Sequence, residues 1–107
     1  MRIFARSTLI RVVKSLEGQK DHRAVKAALE AWYQEARHAK WKNSSQIKRS
    51  YVNASIVGSD RVVFNIKGNS YRLVVGLNYS RETVFIKWIG PHKRYDEIDV
   101  RTVSYEP

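Results

Sequence analysis

The residues best suited to chemistry lie in one short stretch near the end of the chain, GPHKRYD. His92 follows a Gly-Pro pair, and Tyr95 and Asp96 come three and four residues later. An imidazole can accept and release a proton near neutral pH, so His92 is a candidate for general acid–base catalysis, and Asp96 is spaced to orient it across a helical turn. His22 and His38 belong to a different element, which leaves too few ligands for a metal. We therefore predict no metal site and no cofactor.

A second group of polar residues lies on a predicted hairpin, RVVFNIKGNSYRLVV, which begins at Arg61. With Gly68-Asn69 as a two-residue turn, Asn65 pairs with Arg72 and Phe64 with Leu73. Strand alternation then separates an apolar face from a polar one. The predicted core face holds Phe64, Ile66, Tyr71, Leu73 and Val75, and the predicted basic face holds Arg61, Asn65, Lys67, Ser70 and Arg72.

The next hairpin extends the basic face if residues 80–83 form a four-residue loop. This register places Lys87 on the basic face and sends Trp88 to the core. The predicted pairs are Leu77 with Ile86, Gly76 with Lys87 and Val75 with Trp88. A cationic sheet face without a recognition helix or a phosphate-binding glycine loop suits RNA better than the DNA major groove. The alternative is that Lys67 and Arg72 only keep an exposed face soluble.

The composition supports a polyanionic partner. The 107 residues include 20 Lys and Arg against 10 Asp and Glu, a net charge of +10 with a pI near 10.2. Such a surface attracts nucleic acid or a ribosome, although an anionic membrane surface or an acidic protein also fits. Cysteine is absent, and no run has the length and apolarity of a signal peptide or membrane span. We expect a cytoplasmic protein without a membrane partner.

The elements that position these residues predict an α+β fold, a small antiparallel sheet with N-terminal helices packed on one face. A short strand in residues 1–5 precedes one helix capped by Ser7 and a second capped by Asp21, and a short helical turn follows Trp41. From about Val52, β-branched and aromatic residues in short runs predict three or four antiparallel strands. We expect a single domain over residues 1–107, with an acidic tail from Asp96 that fits either an edge strand or a free end.

The runs VVFNIKGNSYRLVV and VFIKWIGPHKRYDEID, together with AWYQEARHAKWKNSSQIKRSY upstream, resemble the HigB toxin family within the RelE-like group of bacterial toxin–antitoxin systems. The resemblance covers nearly the whole chain. It implies a RelE-like fold with a catalytic groove on the face opposite the helices. It also implies an endoribonuclease that cleaves mRNA on the ribosome, and a cognate helix-turn-helix (HigA-like) antitoxin that silences it.

The family patterns fall on residues 64–74 and 88–96, so the resemblance carries site residues onto this chain. The implied catalytic residues are His92, Arg72, Lys67, Tyr95 and Asp96. We assign RNA contacts to Arg61, Asn65, Lys87, Lys93 and Arg94. Pro91 stands where the family usually has threonine, and the Lys93-Arg94 pair makes the rim of the site more basic. We expect metal-independent attack by the RNA 2′-hydroxyl, and the alternative is a non-catalytic RNA- or ribosome-binding module.

Overall fold

A five-stranded sheet organises the fold. The computed structural model describes residues 1–104. Its elements, in chain order, are β1 (Arg2–Phe4), α1 (Arg6–Ser15), α2 (His22–His38), α3 (Ser44–Ser50), β2 (Ser55–Val57), β3 (Arg61–Ile66), β4 (Tyr71–Asn78), β5 (Thr83–Pro91) and α4 (His92–Tyr95). This arrangement confirms the predicted α+β class.

The strands lie in the order β1-β5-β4-β3-β2. Strands β2 to β5 form an antiparallel meander, as predicted, whereas β1 pairs with β5 in parallel. The sheet is therefore mixed, because β1 returns to the sheet edge only after the long connection through the helices, which a parallel pairing requires. Within residues 1–104, no helix has the length and apolarity needed to cross a membrane.

Phe64 lies at the centre of the contact between helices and sheet. Its ring centroid is 4.9 Å from that of Tyr51, 5.5 Å from that of Trp32 and 6.2 Å from that of Trp41. Trp32 comes from α2, and the other two aromatic residues flank α3. The buried stripe of α2 consists of Val25, Leu29, Trp32 and Ala36, as its spacing predicted. The core therefore lies on one side of the sheet, beneath the helices.

Helix α2 begins where the sequence predicts, although the Asp21 side chain makes no cap hydrogen bond. Asp21 is the N-cap of α2, and the Asn43 side chain caps α3 by accepting a hydrogen bond from the Gln46 backbone N–H at 3.1 Å. Helix α1 begins at Arg6, and Ala5 precedes it in a left-handed conformation with φ of 66°. The prediction that Ser7 caps α1 is therefore wrong.

The first hairpin has the predicted register. Asn65 pairs with Arg72 and Phe64 with Leu73, and the predicted core face of this hairpin is buried. Pairing ends at Ile66 and Tyr71, so the connection between the strands spans residues 67–70. The backbone N–H of Ser70 donates to the Lys67 carbonyl at 3.1 Å.

The second hairpin differs from the predicted register. Leu77 pairs with Val84, Val75 with Ile86 and Val74 with Trp88, and a bulge falls between Val74 and Val75. The connecting loop spans residues 79–82, one position earlier than predicted. The bulge inserts an extra residue in β5. Because a one-residue slip exchanges the two faces of a strand, Trp88 lies on the side of the sheet opposite the helices and not in the core as predicted.

Replacing Phe64 with alanine is expected to lower the free energy of unfolding by about 3–5 kcal/mol, because the cavity left among three aromatic rings cannot collapse. Urea denaturation followed by circular dichroism measures the change. The matched control is Ile10→Ala, since Ile10 is 56% exposed, and its effect should stay within about 0.5 kcal/mol. Equal losses in the two variants would show that Phe64 is not central to the core.

Tyr51 is expected to make stability depend on alkaline pH. Burial, reinforced by the hydrogen bond from its hydroxyl to the Glu35 carboxylate, raises the pKa of Tyr51 above its ordinary value. The unfolded phenol loses its proton near pH 10 while the folded phenol keeps it, so the stabilisation is complete below about pH 10 and declines above it. Urea midpoints measured above pH 10 should fall more steeply for the wild type than for Tyr51→Phe. Parallel curves for the two proteins would contradict this assignment.

Candidate functional site

The face of the sheet opposite the helices, here called the open face, carries the candidate site. Strand alternation and the observed register assign side chains to it. Its members include Arg2 and Phe4 on β1, Arg61, Val63 and Asn65 on β3, Arg72, Val74 and Gly76 on β4, and Phe85, Lys87, Trp88 and Gly90 on β5. Four of these are cationic, so the predicted basic face exists, although its membership and accessibility differ from the prediction.

Four residues gather where β4, β5 and α4 meet, and we call Arg72, Trp88, His92 and Tyr95 the corner cluster. The Tyr95 ring lies 6.2 Å from the Trp88 ring and 5.9 Å from the Arg72 guanidinium carbon. The Trp88 ring also covers Gly90, where an added Cβ would come within 2.6 Å of it. Glycine is therefore needed at position 90 for the indole to lie flat on the open face.

Arg72 is held in place by backbone oxygens. One terminal nitrogen, Nη1, donates to the carbonyl of Asn69 at 2.9 Å and to that of Tyr71 at 3.3 Å. No carboxylate of residues 1–104 lies within 4.0 Å of its guanidinium. A half-buried guanidinium with a fixed direction and no acidic partner is suited to a phosphate.

His92 begins α4 and is positioned by its backbone. Its N–H donates to the Ser70 carbonyl at 2.9 Å, which ties α4 to the turn of the first hairpin beside Arg72. The residue is exposed, so its imidazole is accessible to solvent and to a ligand. Asp96 is the exposed C-cap of α4, and the described part of the chain shows no ion pair between it and His92. The expected orienting contact is therefore not formed.

Lys67 is not on the open face, contrary to the prediction. Its Nζ lies 2.5 Å from Oδ1 of Asp21, the N-cap of α2, so the amine points toward the helices. Two causes act together. The backbone at Lys67 is left-handed, with φ of 52°, which removes the residue from strand alternation, and the Asp21 carboxylate attracts its charge. The Asp21 side chain does not cap α2 as predicted, because it makes no hydrogen bond to the backbone of the first helical turn.

Arg61 lies on the open face but holds the C-terminal segment instead of being free for RNA. Its Nη1 donates to the Val100 carbonyl at 3.1 Å and to the Val103 carbonyl at 2.7 Å. Val63 and Val74 share this face and are nevertheless buried, at 2% and 0% exposure. The centre of the open face is thus covered, so its cations do not form one continuous platform. Residues 105–107 of the predicted tail lie outside the described residues.

The remaining predicted RNA contacts surround the corner cluster. Asn65 pairs with Arg72 across the hairpin and borders a polar cleft of about 270 Å³ lined by residues 50–54 and Gly68. Lys93 and Arg94 are exposed on α4. Lys87 reaches the open face as predicted, through the bulge instead of the expected register, and its Cε would lie 3.1 Å from a Cβ added to Gly76.

Sequence reasoning missed two features of the open face. It placed Trp88 in the core, and it did not identify the aromatic pair Phe4 and Phe85, which stack across β1 and β5. The apolar run VFIKWI gives no alternating signal that would reveal a bulge, and the parallel partner of β1 cannot be read from local sequence. The structure therefore adds Trp88, Phe4 and Phe85 to the surface that carries Arg72.

The described residues contain no group of three or more His, Asp or Glu side chains that could hold a metal ion. The groups that remain near the corner cluster are suited to binding a phosphate, transferring a proton and stacking against a base. These are the functions that single-stranded RNA chemistry requires of a protein.

Comparison with known proteins agrees with this geometry. A search of curated proteins found no match to the chain. The family model for the HigB toxin, described as a RelE-like toxic component of a toxin–antitoxin system, matches residues 25–98, which is more than half of the chain and includes the whole corner cluster. The chain therefore belongs to the HigB toxin family and is the toxin of a toxin–antitoxin system, with an antitoxin as its partner.

Proposed function

We propose that this toxin is a cytoplasmic endoribonuclease that cleaves messenger RNA during translation. The observation that carries the proposal is the corner cluster, in which a guanidinium with no acidic partner among residues 1–104 lies beside Tyr95 and its neighbour Trp88. The exposed His92 is tied by its backbone to the adjoining hairpin turn. We further propose that the antitoxin is a helix-turn-helix protein of the HigA type, in keeping with the family.

The charge of the protein supports RNA and the ribosome as its targets. A net charge of +10 on 107 residues attracts RNA from a distance and lowers the free energy of phosphate contact through counterion release. A ribosome would present the message in an extended, unpaired form. With the message held in this way, the protein only has to orient one phosphodiester against the corner cluster.

The proposed reaction is an internal transesterification of the RNA. The ribose 2′-oxygen attacks the adjacent phosphorus and forms a P–O bond, the bond from phosphorus to the 5′-oxygen breaks, and a 2′,3′-cyclic phosphate remains. One proton leaves the 2′-hydroxyl and one reaches the departing 5′-oxygen, so the reaction is balanced without a co-reactant. The protein contributes proton transfer and stabilisation of the charge on the pentacoordinate phosphorus.

The observed contacts suggest a role for each residue. His92 transfers a proton, since its side chain is exposed at the start of α4. Arg72 binds the phosphoryl oxygens, and Tyr95 donates a hydrogen bond or stacks on a base beside Trp88. Asn65, Lys87, Lys93 and Arg94 contact the RNA backbone. We assign no catalytic step to Lys67 or Asp96, because the amine is paired on the helical side and the carboxylate does not contact His92.

Cleavage of a defined messenger RNA in a purified translation system tests the proposal. The wild type should release fragments ending in a 2′,3′-cyclic phosphate. His92→Ala should slow cleavage by about 10²–10⁴-fold, the range for loss of a general acid or base. Arg72→Ala should slow it by about 10²–10³-fold, as for loss of one transition-state donor.

The matched control is Arg23→Ala, which removes one positive charge from α2 on the helical side and should cleave within about threefold of the wild type, because a single distant exposed charge changes long-range attraction only slightly. Translation arrest by the wild type with an intact message would overturn the nuclease proposal in favour of a non-catalytic ribosome-binding module. Equal losses in Arg72→Ala and Arg23→Ala would show that overall charge, and not the corner cluster, determines activity.

A further inference from the structure

Phe4 and Phe85 form an exposed aromatic pair at the β1 edge of the open face. The two residues are register partners in the parallel β1–β5 pairing. Their ring centroids are 5.0 Å apart, their planes are inclined by only 15°, and each residue is 39% exposed. Full burial of a phenylalanine side chain is worth about 1.5–3 kcal/mol, so a ligand that covers the exposed part of both rings gains a share of that free energy.

One cation lies over each ring of the pair. The guanidinium carbon of Arg2 lies 5.3 Å from the centre of the Phe4 ring, and Nζ of Lys87 lies 5.5 Å from the centre of the Phe85 ring. No carboxylate of residues 1–104 is within 4.0 Å of either cation. The long Lys87 side chain has no carboxylate partner within residues 1–104, so its ammonium can leave the Phe85 ring for a phosphate while a base stacks in its place. Bases stacked on aromatic rings and phosphates held by cations are the contacts with which proteins bind single-stranded nucleic acid.

The pair is placed to act together with the corner cluster. Phe85 and Trp88 lie opposite Gly76 and Val74, which are two residues apart on β4, so the bulge between the two aromatic residues leaves a separation of roughly 7 Å along the sheet. Trp88 in turn contacts Tyr95, whose ring borders Arg72. One extended RNA strand lying along β5 would therefore contact both groups.

The chemistry of the pair favours a nucleobase over a protein side chain. The other large exposed apolar residues of the described chain, Ile10, Val52 and Ile56, are aliphatic and offer no flat surface. Docking of an apolar protein segment would require a broad uncharged patch, whereas Arg2 and Lys87 restrict this one to two rings.

From these observations we infer that Phe4 and Phe85 are a base-stacking site, here called the aromatic platform, for an unpaired nucleotide a short distance along the message from the cleaved bond. The inference rests on the proposed function and deepens it by naming a subsite. Every base has a π-face, so the platform tolerates any base and contributes affinity and register instead of proton transfer. Its loss should raise the KM for RNA and leave kcat nearly unchanged, because the platform does not contact the reacting atoms.

Fluorescence of 2-aminopurine tests the platform directly. The probe is a nine-nucleotide 2′-O-methyl oligouridine, which cannot be cleaved, with 2-aminopurine placed at each position in turn. The wild type should quench the fluorophore at one or two positions. Phe85→Leu should abolish that quenching and weaken binding about tenfold, a typical effect of one lost stack. Phe4→Leu should have a smaller effect of the same kind.

Two further variants make the result decisive. Tyr33→Leu is the matched control, since Tyr33 also lies beneath a guanidinium, that of Arg6 at 4.1 Å, but on the helical side, and it should bind RNA as the wild type does. Phe85→Trp keeps an aromatic surface and should retain the quenching. If Phe85→Leu quenches normally, or if Phe85→Trp fails as Phe85→Leu does, the platform is a packing feature and the inference is overturned.

The outcomes also separate this inference from the nuclease proposal. Cleavage by the wild type together with RNA binding that is independent of Phe85 would refute the platform alone. Phe85-dependent quenching in a wild-type protein that cleaves no message would refute the nuclease proposal and leave the platform intact. Loss of antitoxin binding in Phe85→Leu with normal RNA binding would assign the pair to a protein interface and overturn the inference.

Discussion

The packing of Phe64 against Trp32, Trp41 and Tyr51 is the contact on which the rest of the structure depends. It fixes which side of β3 faces the helices. Because strand side chains alternate, it also directs Asn65 to the opposite side, and the hairpin register then brings Arg72 beside it. An aromatic core contact thus determines the face on which the cation of the candidate site appears.

The open face is divided into regions with different chemistry. The corner cluster at one end has a histidine and a guanidinium, the aromatic platform at the β1 edge has two stacked rings, and Arg61 holds the C-terminal segment over the region near β3. This division suits the proposed reaction, in which the RNA substrate provides its own nucleophile. The protein then needs few reactive groups, and most of the surface can serve to hold and align the strand.

The sequence predicted the first hairpin well because its binary pattern is unambiguous. Phe64, Ile66 and Leu73 alternate with polar residues around a single glycine turn, so only one register satisfies both faces. The second hairpin contains apolar residues on both sides, and a bulge has no local signature. The predicted pairs were therefore shifted, and Trp88 was assigned to the wrong side, although Lys87 still reached the open face.

The errors at Lys67 and Arg61 have a common physical origin. Each side chain is directed by a partner distant in sequence, Asp21 for the amine and the carbonyls of Val100 and Val103 for the guanidinium. Strand alternation determines the face of the sheet on which a side chain leaves the backbone. The long, flexible side chains of Lys and Arg can then bend to contact the nearest carboxylate or carbonyl oxygen. At Lys67 the backbone is also left-handed, with a positive φ. The residue type does not predict this conformation, because glycine was expected to adopt it in the turn.

The proposed binding of RNA to the open face at the corner cluster can be checked with the three tryptophan indoles, because Trp88 lies on that face whereas Trp32 and Trp41 are buried beneath the helices. In ¹⁵N-labelled protein titrated with an uncleavable RNA oligonucleotide, the indole N–H resonance of Trp88 should shift together with the backbone amides of Arg72, His92 and Tyr95. A stationary Trp88 resonance, with shifts confined to the amides of α1 and α2, would contradict the account.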